Sequence, residues 1–396
     1  MMFRRFLAIF LSGVLVAAAL AGCSEEADEA LPEDAQAALD SFLQSDQPPG
    51  GEWDWDGEDH HTHIIDYEAA FAAFAPDTVM ISAGDFTVTW DELFFHLCSN
   101  IYGLQQNIGE IHNWSDPLYT DMTLAEAVLS FSIDNALLYK AVEYGAGLSG
   151  ASLSADDLAM VQEEFVNGAE QLGGEDEYLR LLWENEGISS RELFDYLVKT
   201  SILAGNVFAS LYGEGGVLLS DEDAAEYVLP DGYLMAKHIL RLKPEEGEDT
   251  SLSEAEEILG LLDSYSGDDF ETFFDALMWE NSDDVDALSV FPNGYLFQYG
   301  DMVPEFFDAC EALEIGEYSG IVETEYGYHI LYRLPIDFDE VPSYYYRQYD
   351  FSSLRYIAAM GLFDSVLFGW KESLAPVFSA EHASIDIAVI FDIGGH

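Results

Sequence analysis

Two apolar, strand-like runs, each carrying one histidine, set the tightest limit on what this chain can fold into. One reads Lys237-His238-Ile239-Leu240 within residues 234–242, and the other Gly327-Tyr328-His329-Ile330-Leu331 within residues 327–334. Between them the period is helical, over 253–265, 270–280 and 303–310. Strands at both ends of a segment with helices between them predict a small α+β sandwich over residues 233–336. Inside that segment lie an acidic turn, Ser282-Asp283-Asp284, and the run Gly300-Asp301-Met302-Val303-Pro304-Glu305-Phe306. Met302 and Phe306 are four residues apart and so share one helix face.

The flanking sequence is mostly helical. Val79-Met80-Ile81 and Phe86-Thr87-Val88 around Ala83-Gly84-Asp85 predict a hairpin. Helices are expected over 90–104, 123–143, 154–172 and 189–212, with cap pairs Thr123/Glu126, Ser154/Asp157 and Ser189/Glu192 and stops at Gly145, Gly173-Gly174 and Gly213. Residues 352–374 read as one more amphipathic helix, and the β-rich tail 385–393 is expected to rejoin the hairpin as a third strand. The fold class expected is therefore α+β: a mostly helical domain of residues 64–232, completed by a returning segment of residues 337–396, with the 233–336 unit inserted.

The N-terminus reads as a processing signal. Arg4-Arg5 precedes an apolar run over 6–20 that ends in Leu20-Ala21-Gly22-Cys23. That ending resembles a bacterial lipobox, which implies a signal peptide of residues 1–22 and a lipid on the Cys23 sulfur; an ordinary secretory signal is the alternative. Residues 23–63, acidic and holding Pro48-Pro49-Gly50-Gly51, are expected as a flexible tether. His60, His61 and His63 fall in this tract, where imidazoles bind nothing specific, so no metal site and no cofactor are expected. The net charge is −63, and no Lys or Arg occurs between Arg5 and Lys140. Such a chain repels nucleic acid and anionic headgroups. Cys98 and Cys310 lie in apolar helical patterns and are expected as buried thiols, with a disulfide between them as the alternative.

Taken one at a time, the residues of the inserted unit have ordinary explanations. A Met/Phe pair at helical spacing packs a core, a histidine in an apolar run is a satisfied core residue, and an Asp in a Ser-Asp-Asp turn is solvated. Their order changes the reading, because it resembles the parvulin (PpiC-type) family of peptidyl-prolyl isomerases. Membership implies that Met302, Phe306 and Leu296 wall an apolar cup for a proline ring, that His238 and His329 lie beneath the isomerising bond, and that Asp284 stands beside the substrate carbonyl. Rotation about the peptide bond is opposed by about 18–20 kcal/mol, and X–Pro bonds exchange slowly enough to limit folding. Lowering that barrier needs no nucleophile or metal, only a held ring and stabilised charge. Many parvulins carry Gly-Gly-Asp-Leu-Gly before the Met/Phe helix; here the run is Asn293-Gly294-Tyr295-Leu296-Phe297, which places Leu296 only six residues before Met302.

The wider plan of lipid anchor, helical domain, parvulin unit and helical return is similar to PrsA-type foldases and their SurA relatives. What this implies is a prolyl isomerase anchored at the extracytoplasmic face of the cell membrane, whose partners are unfolded or partly folded exported polypeptides containing X–Pro bonds. A holdase with a weak or inactive parvulin unit is the first alternative, and a solute-binding lipoprotein the second, although consecutive helices argue against the latter's repeated βα units. No G-x-S-x-G, H-E-x-x-H or Walker motif supports a hydrolase. The loop Lys243-Pro244-Glu245-Glu246-Gly247-Glu248-Asp249 is acidic where phosphate-directed parvulins are basic, so no preference for phosphorylated substrates is expected.

Overall fold

The alternation of Val79–Ala83 and Phe86–Thr89 folds as an antiparallel hairpin in the computed structural model, which describes residues 65–119, 122–244, 249–284, 289–347 and 351–393. The leader, Cys23, the tether with His60, His61 and His63, and residues 245–248 lie outside the described residues. By its contacts the chain divides into two units, Met1–Val207 with Leu367–His396, and Phe208–Val366.

In the first unit the hairpin turns at Gly84, whose φ of +61° suits a residue without Cβ. Helix Trp90–Ile108 follows at once; the Glu92 carboxylate accepts the Thr89 N–H at 3.2 Å. Leu124–Ser149 and Ala155–Gln171 open on reciprocal boxes, Thr123 with Glu126 and Ser154 with Asp157, as their sequences predict. The next helix starts at Arg191, and Ser190 rather than Ser189 caps it, its Oγ accepting the Leu193 N–H at 3.1 Å. Helix Glu175–Glu186 joins them. Trp90, Phe94, Leu97 and Ile101 form one core with Leu374, Ile387 and Phe391, and Val161, Phe165, Leu182, Phe194 and Leu197 form a second.

Besides the Ser189 cap, two further expectations for this unit are corrected. Gly145 does not end its helix, which runs on to Ser149 and stops at Gly150 with φ +73°. A Cβ at Gly145 would lie 1.9 Å from the Trp370 ring, so the glycine is there for close helix packing. The tail 385–393 is not a strand. Asp386 caps a short helix, Ile387–Ile390, and Ile387 and Phe391 bury together at helical i, i+4 spacing. The third strand on the hairpin is Val377–Phe378, paired with Ser82 and Ile81.

The second unit contains a four-stranded antiparallel sheet in the order Tyr295–Phe297, Leu234–Leu242, Gly327–Leu334, Val322–Glu323. Its register pairs His238 with Leu331 and Leu240 with His329. Because side chains alternate along a strand, both histidines and Leu240 point to one face, over which helix Pro304–Glu311 packs through Phe306, Phe307 and Cys310. Helices Ser251–Ser264 and Phe270–Asn281 cover the other face. There Lys237 Nζ donates to Glu271 and Asp275 at 2.8 and 3.0 Å, and Phe274 stacks on Tyr332. Cys98 and Cys310 are both buried free thiols.

Candidate active site

The register that pairs Leu240 with His329 sets the two imidazoles diagonally across neighbouring strands, with Nδ1 of His238 3.0 Å from Nδ1 of His329. The rings are nearly parallel, at 14°. Beyond Phe270–Asn281 the chain returns along the free side of Leu234–Leu242: Asp283 N–H donates to Leu240 O at 2.8 Å, and Leu240 N–H donates to Ser282 Oγ at 3.1 Å. This brings Asp284 Oδ2 to 2.9 Å from His238 Nε2, where it also accepts the Tyr295 hydroxyl at 2.8 Å. At the far end Thr324 Oγ1 is 2.8 Å from His329 Nε2.

With both rings neutral, one proton arrangement satisfies every atom in this chain. A carboxylate only accepts, so His238 Nε2–H donates to Asp284 and leaves its Nδ1 lone pair to take Nδ1–H of His329. His329 Nε2 then accepts the Thr324 hydroxyl proton. The tautomers follow from the network. Burial, reinforced by neighbouring His238, pushes the His329 pKa down to about 3 against the opposing pull of Asp284, so this ring stays neutral at physiological pH.

Above the pair, Phe306 stands edge-on to both rings, at 5.3 and 5.6 Å between centroids. Met302 and Val303 continue the apolar wall, and Tyr295 meets His238 edge-on from the side. Together with Leu240, Leu242, Asp283, Asp301 and Tyr326 these residues line an open cleft of about 410 Å³. Of the six residues proposed from sequence, His238, His329, Asp284, Met302 and Phe306 line it together. Leu296 does not. It is 1 % exposed and pairs with Met235, so it faces the opposite side of the sheet from its neighbours Tyr295 and Phe297. Its assignment as a wall is corrected to Tyr295, which strict alternation in Tyr295-Leu296-Phe297 would have pointed to. Thr324 carried no signal in the sequence. Cys310 is no nucleophile here, since burial pushes its thiol up to about 11 and it packs in the core between helix Pro304–Glu311 and the sheet. Among the described residues no group of three or more His, Cys, Asp or Glu side chains is arranged to hold a metal.

Residues 238–334 match the Rotamase family model, described as the PPIC-type PPIASE domain. The second unit carries a PPIC-type PPIase domain. Its limits run from the first histidine of the pair to the end of the strand that carries the other. Over 234 residues the chain is 34% identical to the foldase protein PrsA of Halalkalibacterium halodurans, which covers 56% of this chain and 61% of that protein. Over 165 residues it is 30% identical to the foldase protein PrsA of Caldanaerobacter subterraneus subsp. tengcongensis, covering 40% and 46%. The chain thus spans less than two thirds of the length of the curated relatives it matches. Among solved structures, NmPin, the parvuline of Nitrosopumilus maritimus, is 31% identical with a TM-score of 0.20, covering 26% of this chain and 96% of that one.

Proposed function

We propose that the PPIC-type domain catalyses cis–trans isomerisation of X–Pro bonds, and that the chain as a whole is a foldase for exported polypeptides. The observation that carries this reading is the polar floor Asp284–His238–His329–Thr324 directly beneath the apolar wall of Met302, Val303 and Phe306. A prolyl ring against that wall leaves the preceding amide over the imidazoles. As the amide twists, conjugation is lost and charge shifts between carbonyl oxygen and nitrogen; fixed dipoles in a partly dry site stabilise that shift without reorganising. No bond is made or broken. His238 and His329 supply the floor, Asp284 orients His238, and Met302 and Phe306 hold the ring.

The assay is isomerisation of a short proline peptide. Wild type is expected to exceed the uncatalysed rate clearly, and Met302→Ala to lower kcat/KM about tenfold through lost apolar contact with the ring. A wild-type rate equal to background would favour the alternative, a holdase in which this domain only recognises clients.

On this reading the helical segments of 64–232 and 337–396 hold unfolded client, while 233–336 turns it over. The foldase would work on the extracytoplasmic face of the membrane through a lipid on Cys23, supported by the Leu20-Ala21-Gly22-Cys23 sequence. Labelled palmitate is expected on the wild type in a bacterial host and absent from Cys23→Ser; equal labelling of both would remove the anchor.

A further inference from the structure

Asp284 stands on no helix or strand. It follows the end of helix Phe270–Asn281 in the turn Ser282-Asp283-Asp284, yet its Oδ2 sits 2.9 Å from His238 Nε2. Adjacent carboxylates in a turn repel each other, and the more so in a chain with 13 Lys and Arg against 76 Asp and Glu. Holding this turn against the strand therefore takes a cation.

Arg241 supplies it. Side chains alternate along Leu234–Leu242, so His238, Leu240 and Leu242 face the cleft while Arg241 points to the helices on the other face. Its side chain is 23% exposed. Nη1 donates to the Asn281 carbonyl at 2.5 Å and to Asp283 Oδ1 at 3.0 Å. Nε donates to Glu254 Oε2 at 2.9 Å, and Nη2 donates to the same oxygen. One guanidinium thus ties together helix Ser251–Ser264, the last carbonyl of Phe270–Asn281, which has no donor within its own helix, and the turn. Asp283 accepts the Leu242 N–H at 2.9 Å through its other oxygen. Both of its oxygens are fixed, and Asp284 is the next residue.

Resting on the isomerase reading above, we propose that Arg241 is a positioning residue for that reaction. By gripping Asp283, the guanidinium sets the neighbouring Asp284 carboxylate against His238 and so fixes the order of protons along the floor. It does this from behind the sheet, since Arg241 is not among the residues that line the cleft.

The test measures kcat/KM of the full chain on a proline peptide for Arg241→Met and Asp283→Asn, each alone and each combined with Asp284→Ala. Methionine keeps the aliphatic stem, and Asp283→Asn leaves the guanidinium bound to Glu254 and to the Asn281 carbonyl, so the second variant retains the ties between the helices and the strand. Each single change is expected to lower kcat/KM about tenfold, mostly through kcat, since Met302 and Phe306 still hold the ring. In the Asp284→Ala background each is expected to change the rate less than about twofold, because the group being positioned is gone. Arg180→Met removes an exposed cation paired with Glu177 and Glu184 in the first unit, and is expected to leave the rate unchanged. Nitrogen NMR shifts of the His238 ring give a readout that a general loss of stability does not move: protonated Nε2 and bare Nδ1 in the wild type, a mixture of both tautomers in Arg241→Met and Asp283→Asn. A tenfold loss that persists in the Asp284→Ala background, single variants within twofold of wild type, an equal loss in Arg180→Met, or unchanged ring shifts overturn the positioning role alone. No turnover by the wild type overturns the isomerase reading, and Arg241 then has no reaction to serve whatever the ring shifts show.

Discussion

Asp284→Ala is expected to lower kcat/KM on a proline peptide about 100-fold with little change in melting temperature. The carboxylate accepts two hydrogen bonds through one oxygen, from His238 Nε2 at 2.9 Å and from Tyr295 at 2.8 Å. The first decides the tautomer. With Nε2–H committed to Asp284, His238 Nδ1 must accept, and His329 Nδ1–H can donate to it across 3.0 Å. Remove the carboxylate and His238 is free to carry its proton on either nitrogen, so the Nδ1–Nδ1 hydrogen bond can run in either direction, with His329 Nε2 accepting from or donating to Thr324 Oγ1. On the proposed isomerase reading, the floor under the twisting amide is then no longer fixed before substrate arrives. Stability changes little, because the Asp284 side chain is 27% exposed and belongs to the cleft wall. Asp284→Asn keeps an acceptor oxygen and is expected to fall between the two, as is Tyr295→Phe. A protease-coupled or NMR exchange assay reads the rate; Asp284→Ala within threefold of wild type would end the positioning role.

The sequence made the sheet of the second unit legible because each of its two long strands is apolar enough to be buried on both faces, and a histidine in such a run has to find a partner. It did not make the diagonal contact legible. That depends on register, and a slip of one residue between Leu234–Leu242 and Gly327–Leu334 would turn one imidazole to the other face. Leu296 shows the same limit from the other side: its place on the run before the Met302 helix suggested a wall, while pairing with Met235 decided otherwise. Helices Glu175–Glu186 and Asp221–Val228 escaped notice because each is short and acidic, with few buried apolar residues: Leu182 in one, Ala224 and Val228 in the other. Gly145 looked like a stop signal because nothing local reveals that an indole ring from Trp370, far along the chain, needs the space. Capping boxes, being wholly local, were read correctly at Thr123 and Ser154.

Acid is expected to loosen each unit well before its ordinary carboxylates titrate, because each holds a histidine that burial keeps neutral. In the second unit this is His329; in the first it is His96, 3% exposed, held down to about 3 by burial and secondarily by Lys140. The sign follows from proton counting. An unfolded histidine binds its proton near pH 6.5, and the folded one does so only near 3. Between those values the unfolded chain carries the extra proton, so stability that is complete above pH 6.5 is lost steadily as pH falls toward 3. The slope approaches about 1.4 kcal/mol per pH unit for each histidine, which amounts to a loss on the order of 2 kcal/mol between pH 6.5 and 4.5. Glu92, Glu186 and Asp364, raised by burial, take up protons on folding and pull the other way. The histidine share is therefore the difference between variant and wild type. His96→Leu, measured by denaturant unfolding across pH 7 to 4.5, is expected to start lower than wild type, from lost ring packing against Phe95 and Tyr139, yet to fall less steeply, so that the two curves converge in acid. Parallel curves over that range would mean that His96 takes up its proton in the folded chain as readily as in the unfolded one.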